Sequence, residues 1–337
     1  MNLLAPVFSQ LVGFRNWLYE KEFIKTIRLK VPVVSVGNIT MGGTGKTPMI
    51  HWLIGELNKL NYQPGIVSRN YRATNKTAEW VVLRPRAFAA FGDEAVLLKV
   101  KNPEVPIISG PQKWLSAQKM VEESPQTNLV LVDDGFQHRK LHRDFDIVLI
   151  DVSVDRSDYH WPPEGRARES LDALARADVI VLTRWEQRNQ ETVSFLEPWT
   201  SQSGLVLRAE QSADEPMSFA GRPIEDGMIL KNGRGLAFCG LGNPESFRKT
   251  LKAKGLTIGK FISYPDHADY DQERINELLV LAEDYDYLLT SEKDMVKLQE
   301  WPFQGPPLYV IPMQLKLDGD LEAFREKLAG KIRKSAQ

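Results

Sequence analysis

The chain of 337 residues contains one cysteine, Cys239. A single thiol excludes an internal disulfide and any zinc site built from several thiolates, and it fits a reducing compartment. Charge of one sign is not in excess either: 43 Lys and Arg face 44 Asp and Glu, for a formal net charge of -1. Without a basic surplus there is no bulk electrostatic grip on nucleic acid, and no nucleic-acid partner is expected. Internal repeats and low-complexity tracts are lacking. What is present, 42% hydrophobic and 26% charged residues at a mean hydropathy of -0.31, describes a soluble globular protein rather than a disordered chain or a polytopic membrane protein. The length predicts about two domains.

Residues 1–14 carry no charged side chain, and residues 15–30 then hold Arg15, Lys21, Lys25, Arg28 and Lys30 against Glu20 and Glu22. Leu4, Val7, Phe8, Leu11, Phe14 and Leu18 recur at helical spacing, with Trp17 beside them. Ser9 and Gln10 interrupt the apolar run, so it is too short to span a bilayer, and no small-residue cleavage site marks it as a secretory signal. Two readings stay open: a helix lying in a membrane interface, or one packed on a core.

Further along, short Val- and Ile-rich runs alternate with helical patterns. Strands are predicted at Val31–Val36, Gly65–Ser68, Trp80–Leu83, Val105–Ser109, Leu129–Asp133, Ile147–Asp151, Val179–Thr183 and Leu205–Arg208. Near-continuous hydrophobic strands separated by helices predict a parallel sheet covered on both faces. Residues 211–235 read as a polar linker with room for a hairpin, a second β/α pattern follows from residue 236, and residues 330–337 read as a frayed tail.

The most informative segment is Val31-Pro-Val-Val-Ser-Val-Gly-Asn-Ile-Thr40-Met41-Gly42-Gly43-Thr44-Gly45-Lys46-Thr47-Pro48. A buried strand enters a glycine-rich turn that opens a helix, the setting in which backbone N–H groups and a helix N-terminus cradle phosphate. Lys46 is placed to reach the β- and γ-phosphates, and the Thr47 hydroxyl to sit on Mg²⁺. Thr40 stands where the usual pattern has glycine. The second segment, Asn128-Leu-Val-Leu-Val-Asp133-Asp134-Gly-Phe-Gln137-His138, is a hydrophobic strand ending in two carboxylates. An Asp on a strand beside a P-loop holds Mg²⁺ in such enzymes; a helix-capping role is the plain alternative.

These two segments resemble those of the tetraacyldisaccharide 4′-kinases of lipid A synthesis. Gly92-Asp93-Glu94, Gly165-Arg166-Ala167-Arg168-Glu169, Tyr264-Pro265-Asp266-His267 and Glu292-Lys293-Asp294 are similar to further family segments, in the family's order, so the resemblance spans roughly residues 30–297. Asn70 in Ser68-Arg69-Asn70-Tyr71 and Ala268 after His267 depart from it. The resemblance implies transfer of the γ-phosphoryl group of ATP, with Mg²⁺, to the 4′-hydroxyl of a lipid-linked acyl disaccharide 1-phosphate. It implies work at the cytoplasmic face of the bacterial inner membrane, without an obligate protein partner. By the same resemblance Asp93 is the base with His267 as its partner, Lys46 stabilises the transferred group, and residues 40–47 bind the nucleotide. Thr47, Asp133, Asp134 and Glu169 would hold the metal, and Arg69, Tyr71, Gln137, His138 and Arg168 would meet substrate. Read without it, Asp93 is a helix cap and His267 a structural histidine; the basic clusters Arg69, Arg72, Arg139 and Arg143 are open to two readings, contact with the acceptor's 1-phosphate or solvated charge.

The fold class expected is α/β: a P-loop NTPase-like, doubly wound, mostly parallel sheet with a second, smaller α/β domain. Its parts are a membrane-interface helix region at 1–30, a kinase domain at 31–210, the linker at 211–235 and the smaller domain at 236–330. Two other classes share the loop. A P-loop GTPase switch or metallochaperone would want a guanine-reading Asn/Thr-Lys-x-Asp segment where Thr183-Arg184-Trp185-Glu186 stands. An ATP-dependent cell-wall ligase would not require the Asp133–His138 block.

Overall fold

The computed structural model describes residues 4–70, 73–202, 204–219, 228–298, 301 and 305–335. Its strands are β1 (Val33–Asn38), β2 (Pro64–Arg69), β3 (Glu79–Trp80), β4 (Ile107–Gly110), β5 (Leu129–Asp133), β6 (Phe145–Asp151), β7 (Val179–Thr183), β8 (Val206–Ala213), β9 (Met217–Ser218), β10 (Gly235–Cys239), β11 (Ile258–Ser263), β12 (Tyr287–Ser291), β13 (Leu308–Ile311) and β14 (Met313–Asp318). Nine form one sheet in the order β14-β8-β7-β6-β1-β5-β2-β4-β3, and five form another, β11-β10-β12-β13-β9. In the larger sheet only the edge pairs β3–β4 and β14–β8 are antiparallel.

The central strands β1, β5, β6 and β7 are buried along their whole length, as β-branched runs covered on both faces should be. One cover is the helix Lys46–Lys59, which lays Met49, Ile50, Leu53 and Leu57 on the sheet. Each such side chain contributes about 1.5–3 kcal/mol by leaving water. Register positions the chemistry. Val36 of β1 lies beside Asp133 of β5, so the glycine turn and the paired carboxylates leave the sheet at the same carboxyl edge, where ligands bind in open α/β sheets.

Three boundaries differ from the sequence reading. β8 runs on to Ala213, pairing with β14 from Met313↔Ala213 to Asp318↔Arg208, so the expected linker begins inside the large sheet. The chain crosses to the small sheet through β9 and returns with β14 and the helix Leu321–Ser335. Residues 313–330, assigned by sequence to the smaller domain, therefore belong to the larger one. Phe324, Leu328 and Ile332, spaced by four, are fully buried in its core, so residues 330–335 are packed helix rather than a frayed tail.

Among the described residues, no side chain of the N-terminal helix Leu4–Glu20 joins a core cluster. Val7, Phe8, Leu11, Phe14 and Trp17 stay exposed, Leu11 at 63% and Phe14 at 60%, and Phe23 beyond the helix at 69%. The core-packing reading fails here. No helix is long and apolar enough to cross a membrane among the described residues.

Candidate active site

The glycine turn is closed by contacts from three directions. Gly45 has φ +91°, and a Cβ there would collide with the Gln211 carboxamide, so only glycine fits. The Arg184 guanidinium donates to the Gly43 carbonyl at 2.7 Å and to Asp151. The 166–168 segment straps the turn's entry: Met41 N–H donates to the Arg166 carbonyl and Arg168 N–H to the Ile39 carbonyl, each at 2.7 Å, with Thr40 bridged to Ala167. Asn38 Nδ2 donates to Thr44 Oγ1 at 3.1 Å. The loop and the Gly165–Glu169 block, remote in sequence, are one piece of structure.

Lys46 and Arg168 both converge on Asp134. Lys46 Nζ lies 3.6 Å from its Oδ1, and an Arg168 guanidinium nitrogen 2.8 Å from its Oδ2. Asp134 itself has φ +53°, a left-handed conformation that Asp tolerates better than most residues. Lys113, fully buried, donates to the Asp134 carbonyl at 2.5 Å and pins that turn. Burial works to raise the Asp134 carboxyl, but the charges of Lys46, Lys113 and Arg168 outweigh it and hold it far below the usual carboxylate range. Asp133 accepts from Ser68 Oγ at 2.7 Å, and burial, followed by the charge of Glu94, pushes it up to about 6. Burial, with Lys113 nearby, pushes the His138 imidazole down to about 3.

Asp134 Oδ1 is buried with no hydrogen-bond donor, and no group of three His, Cys, Asp or Glu side chains gathers as a closed metal cage among the described residues. Mg²⁺ ordinarily takes one or two carboxylates plus phosphates and water, so the aspartate pair, with one oxygen of Asp134 left without a donor, fits that ion.

Asp93 and His267, 174 positions apart, meet: His267 Nδ1 lies 2.8 Å from Asp93 Oδ2. Asp93 opens the helix Asp93–Lys101, with Gly92 at the capping position, so a bare cap does not describe it. Its Oδ1 accepts from the Glu94 N–H at 2.9 Å. His267 has φ +60°, backbone strain of the kind that clusters at functional sites. Burial works to raise the Asp93 carboxyl, but the hydrogen bond from His267 and the charge of Lys293 outweigh it and keep the carboxyl below its ordinary value.

Other expected site residues are placed differently. Glu169, with a fully buried side chain, spends its oxygens on the N-terminal helix: Arg15 donates to Oε1 and Asn16 to Oε2, each at 2.7 Å, with Arg176 3.6 Å away. These bonds make Glu169 an anchor of the N-terminal helix. Arg139 serves the same helix through the Asn16 carbonyl and Glu20, and Arg143 is paired with Asp146, so neither is a solvated charge. Gln137 donates to the Asn38 carbonyl at 2.7 Å while its Oε1 is buried without a partner. Arg69 is exposed at the carboxyl end of β2. Tyr71 and Arg72 lie outside the described residues.

Sequence reasoning passed over Arg184 and Lys113; nothing local marks a lysine as fully buried.

A model of the family described as Tetraacyldisaccharide-1-P 4′-kinase matches residues 1–333. The chain belongs to this family. A tetraacyldisaccharide 4′-kinase of Syntrophus aciditrophicus is 36% identical over 334 residues, covering 94% of this chain and 89% of that protein. One from Bdellovibrio bacteriovorus is 34% identical over 301 residues, covering 88% of each. Among solved structures, the LpxK protein of Aquifex aeolicus, crystallised with ATP, superposes with a TM-score of 0.76 at 28% identity over 97% of each chain. The family's activity, phosphorylation of a tetraacyldisaccharide 1-phosphate at its 4′ position in lipid A synthesis, is the activity of this chain.

Proposed function

We propose that the chain catalyses this reaction with ATP as donor, Asp93 as general base and Mg²⁺ held by Thr47, Asp134 and Asp133. The observation that carries the reading is the Asp93–His267 hydrogen bond, made by residues of the two different β/α units. The ATP complex of the Aquifex aeolicus relative supports the donor. The 4′-hydroxyl oxygen attacks the γ-phosphorus, its proton passes to the Asp93 carboxylate, and the bond to the β-phosphate breaks with its electron pair leaving on ADP. Lys46 neutralises charge on the transferring group, and the backbone N–H groups of residues 40–47 hold the phosphates. Bound Mg²⁺ supplies further neutralisation of phosphate charge. Arg69, Arg168, Gln137 and His138 face the nucleotide and the acceptor from the same edge. The exposed apolar face of the N-terminal helix sits in the inner-membrane surface, beside the basic residues of 15–30, where the acyl chains of the acceptor reside.

The test of the site is Lys46→Ala, assayed in detergent with a tetraacylated disaccharide 1-phosphate at saturating ATP. Turnover should fall by about 10²-fold or more, with the circular dichroism spectrum unchanged. A variant that keeps most of its turnover refutes the phosphate-loop assignment.

A further inference from the structure

The short helix Glu292–Met295 follows β12 and brings Lys293 to the Asp93–His267 pair. The Lys293 ammonium nitrogen lies 3.4 Å from His267 Nε2 and 3.1 Å from Asp266 Oδ1, with its side chain only 18% exposed. Asp266 Oδ2 lies 3.7 Å from the same Nε2. An ammonium has three donors and no acceptor. Toward Nε2 it can only donate, so Nε2 carries the lone pair. The single proton of a neutral imidazole then sits on Nδ1, 2.8 Å from Asp93 Oδ2.

We propose that Lys293 is a positioning residue that fixes His267 in its Nδ1–H tautomer, so that the imidazole donates to Asp93 and leaves that carboxylate ionised to receive the acceptor's proton. The inference rests on the reading of Asp93 as the base. The competing arrangement is visible in the same cluster. Asp266 stands near enough to Nε2 to draw a proton onto it, which would place the ring between two carboxylates as an imidazolium. An imidazolium offers Asp93 a stronger donor and makes the carboxylate a weaker base. Lys293 blocks that state twice: it pairs with Asp266, and its charge opposes a second cation beside it. The charged groups that bear on this cluster include Asp93 and Glu94 from the helix Asp93–Lys101, Asp266 from the loop of His267, and Lys293 and Lys297 from the segment after β12. Burial works to strip the Lys293 proton, but Asp93, Glu94 and Asp266 outweigh it and hold the lysine charged.

The test is the ring ¹⁵N spectrum of the full chain labelled at its five histidines, with the His267 signals assigned by their loss in His267→Asn. In the unaltered protein at neutral pH, Nδ1 should be protonated and Nε2 not. In Lys293→Met, both ring nitrogens should be protonated at the same pH. Lys293→Arg should keep the Nδ1–H signature. Should Lys293→Met fail to fold, Lys293→Gln takes its place. In parallel, kcat of Lys293→Met should fall about tenfold or more while KM for ATP stays within twofold. Unchanged His267 ring shifts in the uncharged variant overturn the proposal whatever the turnover, since a purely structural lysine would leave the tautomer alone. Full turnover in Asp93→Ala would instead refute the base and leave the tautomer result standing.

Discussion

At the residue scale the site works by surrounding carboxylates with cations whose strengths differ. Asp134 faces Lys46, Lys113 and Arg168 and stays ionised, whereas Asp133, one position away, meets a serine hydroxyl and rises to about 6. His138 shows the same physics with opposite sign. Its imidazole is pushed down to about 3 by burial and by Lys113, so between an unfolded value of 6.5 and about 3 the unfolded chain binds the extra proton and the folded one does not. Stability therefore falls as pH falls through that window, by roughly 1 kcal/mol per pH unit. Denaturant melts of His138→Gln between pH 6.5 and 4 should show a shallower decline than the parent protein. Equal slopes would show that His138 is free to take its proton in the fold.

At the scale of elements, the N-terminal helix hangs from the body by polar contacts and keeps its apolar face outside. Deleting residues 1–18 should leave the fold assembled but less stable, because the helix lends no described side chain to a core cluster while its Arg15 and Asn16 partner the buried Glu169. The truncated protein should stop floating with anionic vesicles while its ATP affinity changes little; retained flotation would place membrane contact elsewhere. The anchor is tested separately. Glu169→Ala strands Arg15 and Arg176 and should cost about 2–4 kcal/mol, less than a fully buried pair because Arg15 is 39% exposed. It should also raise proteolytic cleavage of residues 4–20. A melting temperature and cleavage rate matching the parent would contradict the anchor.

Elements built from continuous apolar runs were legible in the sequence. The predicted bounds Leu129–Asp133 and Val179–Thr183 coincide with those observed, since burial on both faces leaves no other use for such runs. The glycine turn and the Asp133–Asp134 strand end were legible for the same local reason. Partners far apart in sequence were not. Nothing near Glu169 tells that Arg15 and Asn16, more than 150 positions away, take its oxygens. β14 was missed because an edge strand that alternates exposed and half-buried residues carries little hydrophobic signal.

At the scale of the whole molecule, two sheets are tied by a chain that leaves through β9 and returns through β14, and the bond between Asp93 and His267 bridges their β/α units. Lys101 of the first unit is paired with Glu292 of the second at 2.7 Å, and Glu292 also accepts from the Met313 N–H, so the return crossing and the site share one polar junction. Lys101→Ala should loosen the junction without touching the reacting atoms. Its expected mark is a rise in KM for the disaccharide of a few-fold with kcat nearly kept; an unchanged KM would show that the junction does not position the acceptor site.

The central claim is that Asp93 takes the 4′-hydroxyl proton with His267 acting through it, and turnover of Asp93→Asn in detergent with disaccharide 1-phosphate and ATP tests it most directly. The amide keeps the size, the helix start and an acceptor for the Glu94 N–H, while it removes the basicity and the second acceptor that faces His267. General-base assistance is worth about 10²–10⁴ in rate, so kcat should fall within that range at unchanged ATP affinity. Near-normal turnover in Asp93→Asn would contradict the account.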